Sequence, residues 1–160
     1  MNLFLLRHGE AEPRAASDSL RPLTATGRED VQLVARLFAA RQVKLDRCFV
    51  SPYLRASQTA SLFLDVLGAD ILQEEIDLLT PEIRASEVMH FLQKVKADNI
   101  LLVSHNPLLS ELNALLTEGD IRDLHILGTA ELVCISLDIV GLGMGMTPYR
   151  IQPSDAAWHD

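Results

Sequence analysis

The chain of 160 residues has only two cysteines, Cys48 and Cys134, and neither has a second cysteine or a histidine beside it at metal-ligand spacing. Both lie within apolar, strand-like segments, so they read as small buried hydrophobes rather than as a disulfide or a metal site. No apolar run approaches the roughly 20 residues that a bilayer-crossing helix needs. The N-terminus passes from Met1-Asn2 straight into a strand-like run without a basic n-region, which argues against a cleaved signal peptide. The cytoplasm is therefore the expected location. Basic residues are in the minority, and the net charge of −8 argues against a broad nucleic-acid surface. Internal repeats, linkers and a second domain are lacking as well. The carboxylates that are present form no cluster suited to a metal ion.

With 48% hydrophobic and 22% charged residues, the chain has an ordinary globular composition. Its length fits one domain whose core needs neither disulfide nor metal. Short apolar runs alternate with amphipathic segments. The strand candidates are Leu3–Leu6, Arg47–Val50, Ile71–Gln73, Ile100–Val103, Leu132–Leu137 and Pro148–Ile151. Val31, Val34, Ala35 and Phe38 share one face of a helix expected over Thr26–Arg41. Ala56, Ala60, Phe63 and Leu67 mark a second helix. Val88, Phe91, Leu92 and Val95 mark a third, with Ser86 as its N-cap. Leu108, Leu112, Leu115 and Leu116 mark a fourth. This alternation predicts an α/β fold, a single three-layer domain with a mostly parallel central sheet and helices on both faces. The domain is expected over residues 1–151, with a short tail over 152–160 expected to fray. Gly141-Leu142-Gly143-Met144-Gly145 lacks a following helix or lysine and reads as a hairpin connection rather than a phosphate loop.

Three segments carry chemistry. Arg7-His8-Gly9 closes the first strand, with glycine expected to turn the chain sharply through angles that other residues avoid. Ser51-Pro52-Tyr53-Leu54-Arg55-Ala56 closes the second, with Ser51 expected as an N-cap and Pro52 as the first helical residue. Val103-Ser104-His105-Asn106 closes the strand Ile100–Val103. Ligands of open parallel sheets gather beyond the carboxyl ends of the strands, so the three motifs converge on one site. Arg55 would lie near the partly positive start of its helix, where backbone amides and a guanidinium can share one phosphate. Arg21 lies in a polar loop expected to overhang the same edge, ahead of a helix capped by Thr24 or Thr26. Arg14, in that loop, reads as solvated. His90, His125 and His159 lack comparable company and receive no role.

Taken together, these segments resemble the histidine phosphatase (phosphoglycerate-mutase-like) superfamily. The short length and the stretch Asp18-Ser19-Leu20-Arg21-Pro22-Leu23-Thr24 resemble its SixA-type phosphohistidine phosphatases. The resemblance implies an enzyme in which neutral His8 attacks phosphorus, forming a phosphohistidine intermediate that water hydrolyses. Arg7, Arg55, His105 and Arg21, the last matching a phosphate contact of SixA-type sequences, would hold the phosphoryl oxygens. The nearby arginines are expected to lower the pKa of His8. No metal or other cofactor is called for. Many superfamily members use a carboxylic acid to protonate the leaving group. Asp77, Glu82 and Glu87 are the nearby candidates, whereas the SixA-type pattern lacks that acid. Between Gly68 and Ile100 there is room for one strand and one helix, not for a covering insertion. The expected partner is a phosphohistidine-bearing phosphotransfer or carrier protein, and the expected state is a monomer. Two alternatives remain at this point, a phosphatase of a small phosphorylated metabolite and a non-catalytic module that binds phosphoproteins.

Overall fold

The computed structural model describes residues 1–158, with Trp158 in backbone only. Six strands form one sheet in the order β3-β2-β4-β1-β5-β6. They are β1 (Asn2–Arg7), β2 (Arg47–Val50), β3 (Gln73–Glu75), β4 (Asn99–Ser104), β5 (Leu132–Leu137) and β6 (Gly145–Ile151). Strands β1 to β4 pair in parallel, and only β5 runs against its neighbours. The sheet is thus mostly parallel, as expected, and its antiparallel pairings are those of β5 with β1 and with β6. Residues 138–144 connect β5 to β6, with Gly143 at a φ of +68° that favours glycine.

Four helices cover the sheet, α1 (Ala25–Ala39), α2 (Leu54–Leu67), α3 (Ala85–Leu92) and α4 (Leu108–Thr117). The period of two in β1 explains the layers. Leu3 and Leu5 pack with α3 and α4, while Phe4 and Leu6 pack with α1 and α2. A strand buried on both faces reads as a continuous apolar run, as β1 does.

Several local expectations need correction. Ser86 is not an N-cap, because α3 begins at Ala85 after Arg84, and Val95 lies beyond its end. Ser51 and Pro52 precede α2, which starts at Leu54 with Tyr53 as its N-cap. Strand β3 lies two residues later than the apolar Ile71-Leu72 pair suggested, since Gln73 is the residue that pairs with Cys48. Strand β6 extends upstream through Pro148, an edge position where the missing N–H leaves no ladder bond unmade. Residues Pro153–Trp158 of the tail form a 3₁₀ helix packed on α1. The last tail residues, His159 among them, lie outside the described residues.

Gly9 needs its missing side chain for a reason other than turning. A Cβ there would lie 2.7 Å from the Gly27 carbonyl oxygen and 3.0 Å from Val31 Cγ2. Gly27, in the first turn of α1, faces the same constraint, since its Cβ would fall 2.1 Å from the Glu10 carbonyl oxygen. This close approach presses the chain after β1 onto α1. The Gly9 N–H donates to Thr59 Oγ1 at 3.1 Å and ties the same segment to α2. Gly27→Ala is expected to destabilise the fold by about 1–3 kcal/mol, as over-packing does, and to lower activity because His8 lies next to the displaced segment. Urea unfolding monitored alongside turnover checks this; unchanged stability would show that the contact relaxes freely.

Candidate active site

Sheet order explains why the three motifs meet. Strand β4 lies between β2 and β1, with Val50 opposite Val103 and Arg7 opposite Ser104. The chain segments that leave these three strands therefore emerge side by side. The His8 N–H donates to the Ser104 carbonyl and the Ser51 N–H to the Val103 carbonyl, both at 3.0 Å, which extends the ladder into the motifs. The His8 and His105 rings lie 5.1 Å apart between centroids. Arg7, His8, Arg21, Arg55 and His105 line one pocket, together with Asp18. Arg14 is exposed and does not line it.

The protonation of His8 follows from its partners. Nδ1 lies 2.7 Å from the Gly9 carbonyl oxygen, which can only accept, so Nδ1 carries the hydrogen. Arg55 Nε, which can only donate, reaches His8 Nε2 at 3.3 Å. Nε2 therefore carries a lone pair in the pocket. The side chain is only 7% exposed, and burial is the main cause that lowers its pKa to about 4. The Gly9 contact works in the opposite direction, while Arg55, Arg7 and Arg21 lower it further. The arginines thus act as expected, but burial does more.

His105 is 1% exposed, and its pKa is lowered to about 3, first by burial and then by His8 and Arg55. Ser51, which sequence reasoning took for a helix cap, lies with Oγ 2.7 Å from His105 Nε2. The hydroxyl oxygen accepts the Tyr53 N–H at 3.3 Å, and among the described residues the acceptor within reach of its own hydrogen is Nε2, which assigns the donation to Ser51. The His105 hydrogen is then on Nδ1, a buried atom without a hydrogen-bond partner. Arg7 presents a second such atom. Its Nη1 donates to the Leu127 carbonyl at 2.7 Å, while its Nε is buried and unpartnered. An unpaired buried donor costs about 1–3 kcal/mol. Both donors belong to residues that line the same pocket as the neutral His8 imidazole.

Sequence reasoning missed three contributors. Asp18 Oδ1 accepts from Arg21 Nε at 2.8 Å and Oδ2 from Arg55 Nη2 at 3.2 Å. Glu131, 2% exposed, accepts the Gly128 N–H at 2.7 Å and pairs with His125 at 2.6 Å. It thereby orders the loop whose Leu127 carbonyl holds both Arg7 and the Asn106 side chain. A short acid just before Arg21 offered a signal for Asp18; a backbone carbonyl such as that of Leu127 leaves none. The acids Asp77, Glu82 and Glu87 are exposed and do not line the pocket.

Fold and pocket together define a class. The histidine phosphatase superfamily, branch 1, matches residues 3–78. The chain belongs to this superfamily. Within it, the chain is 35% identical to the phosphohistidine phosphatase SixA of Escherichia coli (strain K12), an alignment that covers 98% of this chain and 99% of that protein. It is 34% identical to a SixA homolog of Haemophilus influenzae over 71% of this chain and 76% of the other. A solved structure of the protein histidine phosphatase SixA complexed with tungstate matches with a TM-score of 0.88 and 33% identity, covering 97% of this chain and 99% of the other. A solved structure from Agrobacterium tumefaciens, at 22% identity and a TM-score of 0.76, shares the fold.

An NMR titration of the ligand-free protein is expected to place the His8 midpoint near pH 4 rather than near the usual 6.5. Because the folded pKa is depressed, the unfolded chain binds more protons between these values. Stability is then fully present above about pH 6.5 and falls as the pH drops through this window. A midpoint near 6.5 would contradict the account by burial.

Proposed function

We propose that this chain is a protein phosphohistidine phosphatase, which hydrolyses phosphohistidine on a phosphotransfer or carrier protein. The observation that carries this reading is the pair of buried, unpartnered donors, Arg7 Nε and His105 Nδ1, on residues that share one pocket with His8, whose Nε2 keeps its lone pair and accepts only from Arg55 Nε. His8 attacks phosphorus through Nε2. The P–N bond to the substrate imidazole breaks as the new bond forms, and the imidazole departs neutral because the other nitrogen of the substrate ring already carries a proton. Water then cleaves the phosphoenzyme, releasing phosphate and restoring neutral His8. Arg7, Arg55 and His105 hold the phosphoryl oxygens, with Arg21 at the outer side, and they offset charge already present in the ground state and redistributed during transfer.

The family supports the covalent route, and the likeness to SixA along the whole chain supports the substrate class. A monomer in the cytoplasm is part of the same proposal. No helix among the described residues is long and apolar enough to cross a membrane. The connection between β3 and β4 holds only a 3₁₀ turn and α3, and a short connection of this kind favours a substrate presented on another folded protein.

Rapid quench with a 32P-labelled phosphohistidine domain is expected to trap label on the wild-type enzyme and none on His8→Ala. His105→Ala should lower turnover by about 10²–10³, as loss of an oxyanion donor does. Turnover of the phosphohistidine protein should exceed that of simple sugar phosphates. A clear preference for the sugar phosphates would replace this reading with that of a metabolite phosphatase, and binding without turnover would replace it with a recognition module.

A further inference from the structure

We propose that Asp18 is a positioning residue, whose carboxylate and main-chain carbonyl fix the guanidinium groups of Arg55 and Arg21 so that each presents its remaining N–H donors to the phosphoryl group. The proposal rests on the reading of the pocket as a phosphoryl site, but it does not depend on which molecule carries the phosphoryl group.

Asp18 opens the 3₁₀ turn Asp18–Leu20, and Arg21 follows directly as its C-cap. One residue therefore contacts both arginines. Arg55 Nη1 donates to the Asp18 carbonyl at 2.8 Å, and Arg55 Nη2 donates to Oδ2 at 3.2 Å. These two contacts occupy the outer end of the guanidinium. They leave its side edge, where Nε already reaches His8 Nε2 at 3.3 Å, directed at the atom where phosphorus must arrive. Arg21 is held in the same way, with Nε on Asp18 Oδ1 at 2.8 Å and Nη1 on the Glu12 carbonyl at 3.1 Å.

A carboxylate between two cations in an anion site has two possible effects. It can compete with the incoming phosphate, or it can orient the cations toward it. The geometry favours orientation, because the Arg55 edge that faces His8 is not the end that Asp18 holds. An arginine fixed at its outer end loses little further freedom when it binds an oxyanion. The side chain of Asp18 is 57% exposed while that of Arg55 is 4% exposed, so the acid grips a buried cation from the solvent side. Slight burial works to raise the pKa of Asp18, but the arginine contacts prevail and lower it. The group therefore remains an acceptor through the neutral range.

Inorganic phosphate is the probe that keeps this proposal separate from the identity of the substrate. Calorimetric titration of the full-length protein with phosphate is expected to show binding weakened about 10- to 100-fold in Asp18→Ala, with a smaller loss in Asp18→Asn, whose amide oxygen can still accept from one arginine. Positioning also predicts non-additivity. Asp18→Ala should cost far less in an Arg21→Ala background than in the wild type, because one of its two clients is already gone. A merely structural role would shift the thermal midpoint without this coupling. Asp18→Asn, which preserves volume, keeps the test valid if the alanine variant fails to fold. Phosphate binding that is unchanged or tighter in the Asp18 variants would overturn the proposal and mark the carboxylate as a competitor. Full additivity with Arg21→Ala would overturn it too.

Discussion

The placement of β4 between β2 and β1, in parallel and in level register, is the constraint on which the site depends. Neighbouring strands lie about 4.8 Å apart, and the 5.1 Å between the His8 and His105 rings corresponds to one strand spacing. The pocket is thus built at the pitch of the sheet. Register is strongly specified because both faces of these strands are buried. Slipping β1 by one residue would exchange Leu3 and Leu5 for Phe4 and Leu6 between the two cores. The same apolar packing that stabilises the sheet therefore fixes the reach of the two imidazoles toward each other. The Gly9–Gly27 approach extends this precision past the strand end, because it leaves the segment after His8 little room to move.

Within that frame, the cations are held in a consistent way. Arg7 is anchored on the Leu127 carbonyl, Arg21 on that of Glu12 and Arg55 on that of Asp18. A neutral carbonyl fixes a guanidinium without cancelling its charge, so the positive potential remains available to a phosphoryl group. The carboxylates nearby are placed with economy. Glu131 lies behind Arg7 and is directed to the loop, and Asp18 lies outside Arg55. In a chain with a net charge of −8 this local excess of fixed cations is a specific feature. Two buried nitrogens of the same pocket, Arg7 Nε and His105 Nδ1, have no hydrogen-bond partner, which costs about 1–3 kcal/mol each as long as they stay unpaired.

Much of this was legible in the sequence, for physical reasons. Long buried strands announce themselves as apolar runs, and β1, β2, β4 and β5 were placed within about two residues. Helices α1, α2 and α4 were readable from their spacing of apolar residues. The edges were less legible. Strand β3 carries polar residues on an edge, and β6 runs through a proline, so neither shows the pattern of a central strand. The five side chains named for the site line one pocket, because Arg7, His8 and His105 sit at the carboxyl ends of adjacent parallel strands, and the start of α2 and the turn Asp18–Leu20 bring Arg55 and Arg21 to the same pocket. Their supports were not legible. Ser51 followed by Pro52 has the form of a helix cap, and only the sheet order reveals that its hydroxyl meets His105 instead. Asp18 lies three residues before Arg21 in sequence, but nothing local indicates that it also holds Arg55.

The fate of the leaving group links this geometry to the substrate. An alkoxide leaving from phosphorus requires a proton from a poised acid, whereas an imidazole leaves readily once protonated. Among the described residues, the acids that line the pocket are Glu10 and Asp18. Glu10 accepts a hydrogen bond from Thr24 at 2.9 Å, and Asp18 accepts from two arginines that lower its pKa. A carboxylate held by guanidinium groups is a poor proton donor. General acid catalysis typically contributes 10²–10⁴-fold, so a pocket whose two acids are both engaged as acceptors is expected to be at a disadvantage of that order with alkyl phosphates. A phosphoramidate requires less of this help, and the pocket as built is suited to the bond that needs it least.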